Sequence, residues 1–183
     1  MSYSAPLASA TNYGVVQVGS GLSVTNGLLS AGTGLLNYGF FSNGTQTNPV
    51  ANTLNIVTFS ITGPANGVNI VSGTNLTVQN AGVYNTVFTA NVAKTSGGTS
   101  SVSIWLRLNG VNVVGSRQEL ELTNTLATTF VTGNFTLTIP TNGYLQVAWS
   151  SSDTTVALTA LPAAINPIRP TGDSIKITLT RIS

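Results

Sequence analysis

The sequence predicts an all-β protein, a two-sheet jelly-roll sandwich preceded by a short β-rich stem. Three observations carry this. Thr, Val, Ile and Asn abound, while the helix formers Glu, Lys and Gln are scarce. Apolar residues return at every second position over long runs, the period of a strand with one buried face. Gly and Asn punctuate those runs at short intervals, as turns require.

In chain order, residues 1–50 differ from the rest. Val15–Val18, Leu22–Val24 and Leu28–Leu29 are short apolar pieces separated by glycines, and Asn26-Gly27 is a tight-hairpin dipeptide. So thin a segment cannot bury a core of its own. It is expected to be a stem or attachment segment that drapes over the main domain or finds its core between copies. Asn43–Asn52 reads as a linker, and residues 51–183 as the head.

The expected strands of the head begin with Leu54–Ser60, Val68–Val71, Asn75–Gln79, Gly82–Ala93 and Ser101–Leu108. Val111–Val113, Arg117–Thr123, Thr128–Ile139, Tyr144–Ser150, Thr155–Leu161 and Ser174–Ile182 follow. Turn signals lie between most of them, among them Pro64 with Asn66-Gly67, Asn109-Gly110, Asn142-Gly143 and Ser151–Asp153. Such a count of strands is that of a two-sheet sandwich or jelly roll. Alternation gives each strand a core side: Tyr84, Phe88, Ala90 and Val92; Val102, Ile104, Leu106 and Leu108; Leu145, Val147 and Trp149; Ile175, Ile177 and Leu179.

Composition narrows the function. Hydrophobic residues make up 42% of the 183, enough for a core, but charged residues only 5%, against about 25% in ordinary soluble domains. Ser, Thr, Asn and Gly fill 85 positions, so the surface is mostly hydroxyls, amides and backbone. With no His and no Cys, there can be no His or Cys metal site, Ser-His-Asp triad, thiol nucleophile or disulfide. No cofactor is expected. The net charge of +2 comes from scattered residues, without the basic cluster that nucleic acid demands. No run approaches the roughly 20 apolar residues of a membrane span, so no membrane insertion is expected. Met1–Ala10 lacks the basic and apolar regions of a signal peptide. A surface so poor in charge favours homo-oligomerisation, since charge is what keeps proteins apart.

Eight residues are candidates for an interface or binding site: Trp105, Arg107, Arg117, Glu119, Glu121, Tyr144, Trp149 and Arg169. Trp105 and Arg107 project from the polar side of their strand, which suits a cation–π contact or an ion pair with Glu119 or Glu121 of a neighbour. Snorkelling at the surface is an equal alternative for Arg107. Glu119 and Glu121 point the same way, as paired acid and base would, but on an outer strand such a pair more often blunts sheet association. Trp105, Tyr144 and Trp149 could stack on sugar rings, although packing is the commoner use of strand aromatics. Any glycan site would draw on the loops Lys94–Ser100, Thr123–Ala127 and Ser151–Thr155. Arg169, between Pro167 and Pro170, pins a rigid loop or meets a ligand. Asp153 and Asp173 read as turn-closing residues.

Two resemblances rest on particular stretches. NGVNIVSGTNLTVQNAGVYNTVFTANVAK at 66–94, SVSIWLRLNGVNVVGS at 101–116, FTLTIPTNGYLQVAWSSSD at 135–153 and VALTALPAAINPIRPTGDSIKITLTRI at 156–182 together resemble the trimeric C1q/TNF-like jelly roll, in the branch found in phage and large-virus structural proteins. YGVVQVGSGLSVTNGLLS at 13–30 looks like the Gly-punctuated segments of phage tail fibres. The resemblance implies a homotrimer on a threefold axis, with Tyr84, Phe88 and Trp149 among candidates for packing near it. It further implies a virion fibre or spike whose N-terminal segment fastens to other virion proteins, and whose partner is a host-surface glycan or protein. A purely structural capsid, baseplate or decoration role is the alternative. The carboxylates are too few to carry over the calcium sites of some relatives.

Overall fold

A computed structural model describes residues 22–25, 28–31, 36–123 and 128–183. The chain divides into two compact units, residues 1–35 and 36–183. In the first, β1 (Leu22–Thr25) and β2 (Leu28–Ala31) pair antiparallel, from Leu22 opposite Ala31 to Thr25 opposite Leu28. The expected Asn26-Gly27 turn and the Val15–Val18 piece lie outside the described residues.

The second unit opens with β3 (Tyr38–Asn43), β4 (Gln46–Thr47), β5 (Asn55–Ile56), β6 (Ile61–Asn66), β7 (Val68–Val71) and β8 (Asn75–Val78). The long strands β9 (Gly82–Lys94) and β10 (Ser100–Leu108) follow, then β11 (Val111–Asn112), β12 (Gln118–Leu122), β13 (Thr128–Ile139) and β14 (Tyr144–Ser151). The last are β15 (Val156–Leu158), β16 (Ala164–Ile165), β17 (Ile168–Arg169) and β18 (Ile175–Arg181).

These strands form two antiparallel sheets. The first runs β4–β15–β9–β18–β3–β6, with β13 also on β9. The second runs β11–β10–β14–β8–β7, with β12 on β10 and β5 on β14. The central orders β3–β18–β9–β13 and β8–β14–β10–β12 are those of a jelly roll: successive long strands alternate between sheets and the last returns beside the first. β16 and β17 make a separate hairpin.

Between the sheets lies one core, and the alternating rows supply it. Tyr84, Phe88, Ala90, Val92, Val102, Ile104, Leu106, Leu145, Val147, Trp149, Ile175, Ile177 and Leu179 are all buried, each large apolar side chain contributing about 1.5–3 kcal/mol by leaving water. Leu108 is partly buried against them. Turn chemistry agrees with the sequence where it sets the register. Asn109 and Gly110 take φ of 49° and 79°, the left-handed pair of a two-residue hairpin turn, so Leu108 faces Val111 and Arg107 faces Asn112.

Several segments differ from the expectation. Tyr38–Asn43, in the stretch assigned to the stem, is a strand hydrogen-bonded between β18 and β6. Gln46–Thr47, in the expected linker, pairs with β15. Leu54–Ser60 is regular only at Asn55–Ile56. Beyond it Val57 and Phe59 are buried, and their N–H groups donate to Val147 O and Gly73 O as the chain crosses over. Ile61–Asn66 is a strand despite Pro64, because it lies at a sheet edge where a missing N–H is tolerated.

The chain enters this unit beside its C-terminus, where Arg181 N donates to Asn37 O at 2.8 Å. The opposite end carries the segments 95–99, 152–155 and 159–174. There Thr95 N donates to Thr155 O at 3.1 Å and Thr155 Oγ1 to Ser96 O at 2.9 Å.

Candidate functional site

Strand pairing brings six of the eight candidates to the outer face of the second sheet. β12, β10 and β14 are neighbours, so residues far apart in sequence line up in rows. Glu121 lies opposite Ser101, and the next row is Glu119–Ser103–Ser150. Trp105 lies beside Ala148, which in turn faces Ile56, and Arg107 beside Gln146. Tyr144 opens β14 on the same face, opposite Thr77 of β8.

The side chains on this face hold one another. Trp105 Nε1 donates to Asn112 Oδ1 at 2.9 Å, a contact made possible by the β10–β11 turn. Arg107 donates through Nη2 to Gly110 O and through Nη1 to Gln146 Oε1 at 3.4 Å. Gln146 Nε2 donates onward to Asn75 Oδ1 at 2.8 Å. Arg117 and Glu119, both exposed, form an ion pair at 3.2 Å. Within the chain Arg107 is therefore held by amide and carbonyl acceptors, whereas its expected ion pair is with Glu119 or Glu121 of a neighbour. Its Nε is buried with no partner among the described residues.

Beside Trp105 lies a groove of about 410 Å³, lined among others by Ser103, Asn112, Val114, Arg117 and Ser150. Val114 is 98% exposed. Ser103, Ser150, Asn112 and Val114 were not among the sequence candidates. The signal was present for the serines, which alternate outward on the same strands as the buried rows. Asn112 and Val114 depend on where the Asn109-Gly110 turn returns the chain.

The other two candidates lie elsewhere. Trp149 is buried in the core with Leu145 and Val147, as are Tyr84 and Phe88. Arg169 lies on the β16–β17 hairpin, whose Ile165 and Ile168 are 92% and 89% exposed. Of the expected loop residues, Lys94 is fully buried, its ammonium donating to Leu122 O at 3.3 Å, and residues 124–127 lie outside the described residues. Asp153 closes its turn as expected, accepting from Thr155 N at 2.8 Å. That backbone bond, with the Thr155 and Ser100 hydroxyls and nearby Lys94, holds its carboxyl below the usual range. Asp173 contributes a carbonyl, accepting from Asn91 Nδ2 at 2.8 Å.

The titratable groups for acid–base chemistry are few. The chain offers four carboxylates and neither His nor Cys. Glu119 is paired with Arg117, Glu121 is exposed, and Asp153 is committed to its turn. Among the described residues no group of His, Cys, Asp or Glu could hold a metal ion. The face can stack, donate and accept hydrogen bonds, which is the chemistry of binding.

No family model and no curated protein matches this chain. Among solved structures it is similar to the Eiger TNF of S. frugiperda, at 10% identity and a TM-score of 0.48, over 81% of this chain and 94% of that one.

Proposed function

We propose that this chain is a non-catalytic, homotrimeric head of a viral fibre or spike, of bacteriophage type, that attaches the particle to the surface of its host. The observation that carries the reading is the unequal division of charge between the two outer faces. On the first sheet that face is Tyr38, Phe40, Val87, Thr89, Phe130, Thr132, Thr178 and their neighbours, with Lys176 the charged residue in its rows. Tyr38 and Phe130 are 40% and 71% exposed. A neutral, aromatic-bearing face of this kind is suited to packing against copies of itself. The second sheet's face carries Arg107, Arg117, Glu119 and Glu121 around the Trp105 groove and stays available to a partner.

The virion assignment is supported by the order of motifs from 66 to 182, and by the Gly-punctuated segment at 13–30. Residues N-terminal to the sandwich, within the stretch 1–50, serve as the attachment to other virion proteins. The loops 95–99, 152–155 and 159–174 lie at the end of the sandwich away from Leu36. Linked on one axis, three weak sites gain effective concentration.

The test is adhesion of the purified full-length chain to a panel of bacterial cells, with released sugar assayed in parallel. Saturable binding to some cells without sugar release supports attachment. Absence of binding across the panel favours a scaffold role, and steady depolymerisation of surface polysaccharide would make the chain an enzyme.

A further inference from the structure

The groove beside Trp105 combines two chemistries that rarely serve the same ligand. One is an aromatic plane. Trp105 is half-buried and lines the groove, and its indole N–H is already engaged by Asn112, so the ring meets a ligand as aromatic surface rather than as a donor. The other is a polar row. Ser103 and Ser150 are cross-strand neighbours, with Glu119 on the far flank of Ser103, and neither serine hydroxyl has a partner among the described residues. Arg117 stands at one side, its Nη2 on Glu119 at 3.2 Å, which leaves most of its five donors open while the pair is neutral overall.

We propose that this groove binds a neutral pyranose unit of a cell-surface polysaccharide, stacked on Trp105 and hydrogen-bonded by Ser103, Ser150 and Arg117. The proposal rests on the attachment reading above and names its ligand. A pyranose has an apolar face of C–H groups and a rim of hydroxyls that both donate and accept. It uses an aromatic plane and a hydroxyl row at the same time. Other ligand classes fit worse. Nucleic acid would find an arginine already neutralised by Glu119, where phosphates require a basic cluster. An extended peptide adds to a free sheet edge, whereas β10 and β14, which form the floor here, have their backbones paired to each other. A lipid chain would leave Ser103, Ser150 and Asn112 facing hydrocarbon. The volume, about 410 Å³, falls in the range of small-ligand sites, about 300–1,000 Å³. Because the groove is open, each site is weak, and the head depends on presenting several copies.

The full-length chain, in its own oligomeric state, is applied to an array of neutral and acidic bacterial oligosaccharides. Those retained are titrated by tryptophan fluorescence. The chain has two tryptophans and Trp149 is buried, so a saturable change reports on Trp105. At least one neutral oligosaccharide is expected to bind. Trp105→Ala should weaken it by about tenfold or more, Trp105→Phe by far less. The double variant Ser103→Ala, Ser150→Ala should also lose about tenfold, with its thermal midpoint unchanged. Should Trp105→Ala fail to fold, the serine pair decides. No retention on the array, retention of acidic sugars alone, or binding that survives the serine pair overturns the proposal. Adhesion to bacterial cells separates this failure from that of the attachment reading. Cells bound with no sugar retained overturns the pyranose and leaves attachment standing, while neither cells nor sugar bound overturns both.

Discussion

Tyr84 shows how a buried polar group can make stability depend on pH. It is fully buried, yet its Oη donates to Asn80 O at 2.7 Å. Burial raises its pKa above the ordinary 10.0, an effect partly offset by the positive charge of Arg181. The folded state therefore holds the phenolic proton more tightly than the unfolded chain. The contribution is constant below about pH 10 and is lost as pH rises from 10.0 through the folded pKa. We predict that the denaturant midpoint falls on going from pH 9 to pH 11, and that Tyr84→Phe flattens this fall while costing about 1 kcal/mol at neutral pH. A midpoint with the same alkaline slope in both proteins would contradict the assignment. Gly133 is the steric counterpart. It faces Phe88 across the β9–β13 ladder, and a Cβ there would stand 2.5 Å from both Phe88 Cε1 and Phe135 Cε2. These two rings stack with centroids 6.2 Å apart. Gly133→Ala is expected to cost about 1–3 kcal/mol by overpacking, while Val111→Ala, at a side chain 70% exposed on the other sheet, should be near neutral. Denaturant unfolding of both checks it.

At the scale of elements, β12 guards a sheet edge. Among the described residues it pairs with β10 alone, and Glu119 and Glu121 stand exposed along it. An unpaired edge is a template for another strand, and charges there oppose docking. The double change Glu119→Val, Glu121→Val is therefore expected to increase concentration-dependent aggregation, seen by light scattering, with the β signature retained. Unchanged scattering would mean the edge is protected in another way. What was legible in the sequence follows the same logic of faces. β13 coincides with its expected range, Thr128–Ile139, because Thr128, Thr132, Asn134, Thr136 and Thr138 keep one face polar apart from Phe130 while Val131, Phe135, Leu137 and Ile139 alternate on the other. β3 escaped because Phe40 and Phe41 are adjacent, one half-buried outward and one in the core, so the period of two is lost. β6 escaped because Pro64 reads as a turn unless its edge position is known. Trp149 was both a core and an interface candidate, and its row with Leu145 and Val147 turns out to be core. The groove was half legible: strand parity exposes Trp105, Ser103 and Ser150, but only the register of three strands puts them side by side.

At the scale of the whole molecule, the central claim is that the neutral outer face of the first sheet assembles three copies. Such an interface rests on apolar burial and hydrogen bonds rather than ion pairs, so salt should leave it intact. Thr178 lies between Phe40 and Val87 on that face and is exposed. Thr178→Arg would place charge in the interface while leaving the sandwich untouched, and is expected to yield folded monomers. The most direct test is the solution mass of the full-length chain by light scattering, from about 0.05 M to about 1 M salt. Three chain masses throughout is the predicted result. A monomer at low salt, or a trimer that falls apart as salt rises, would contradict the account.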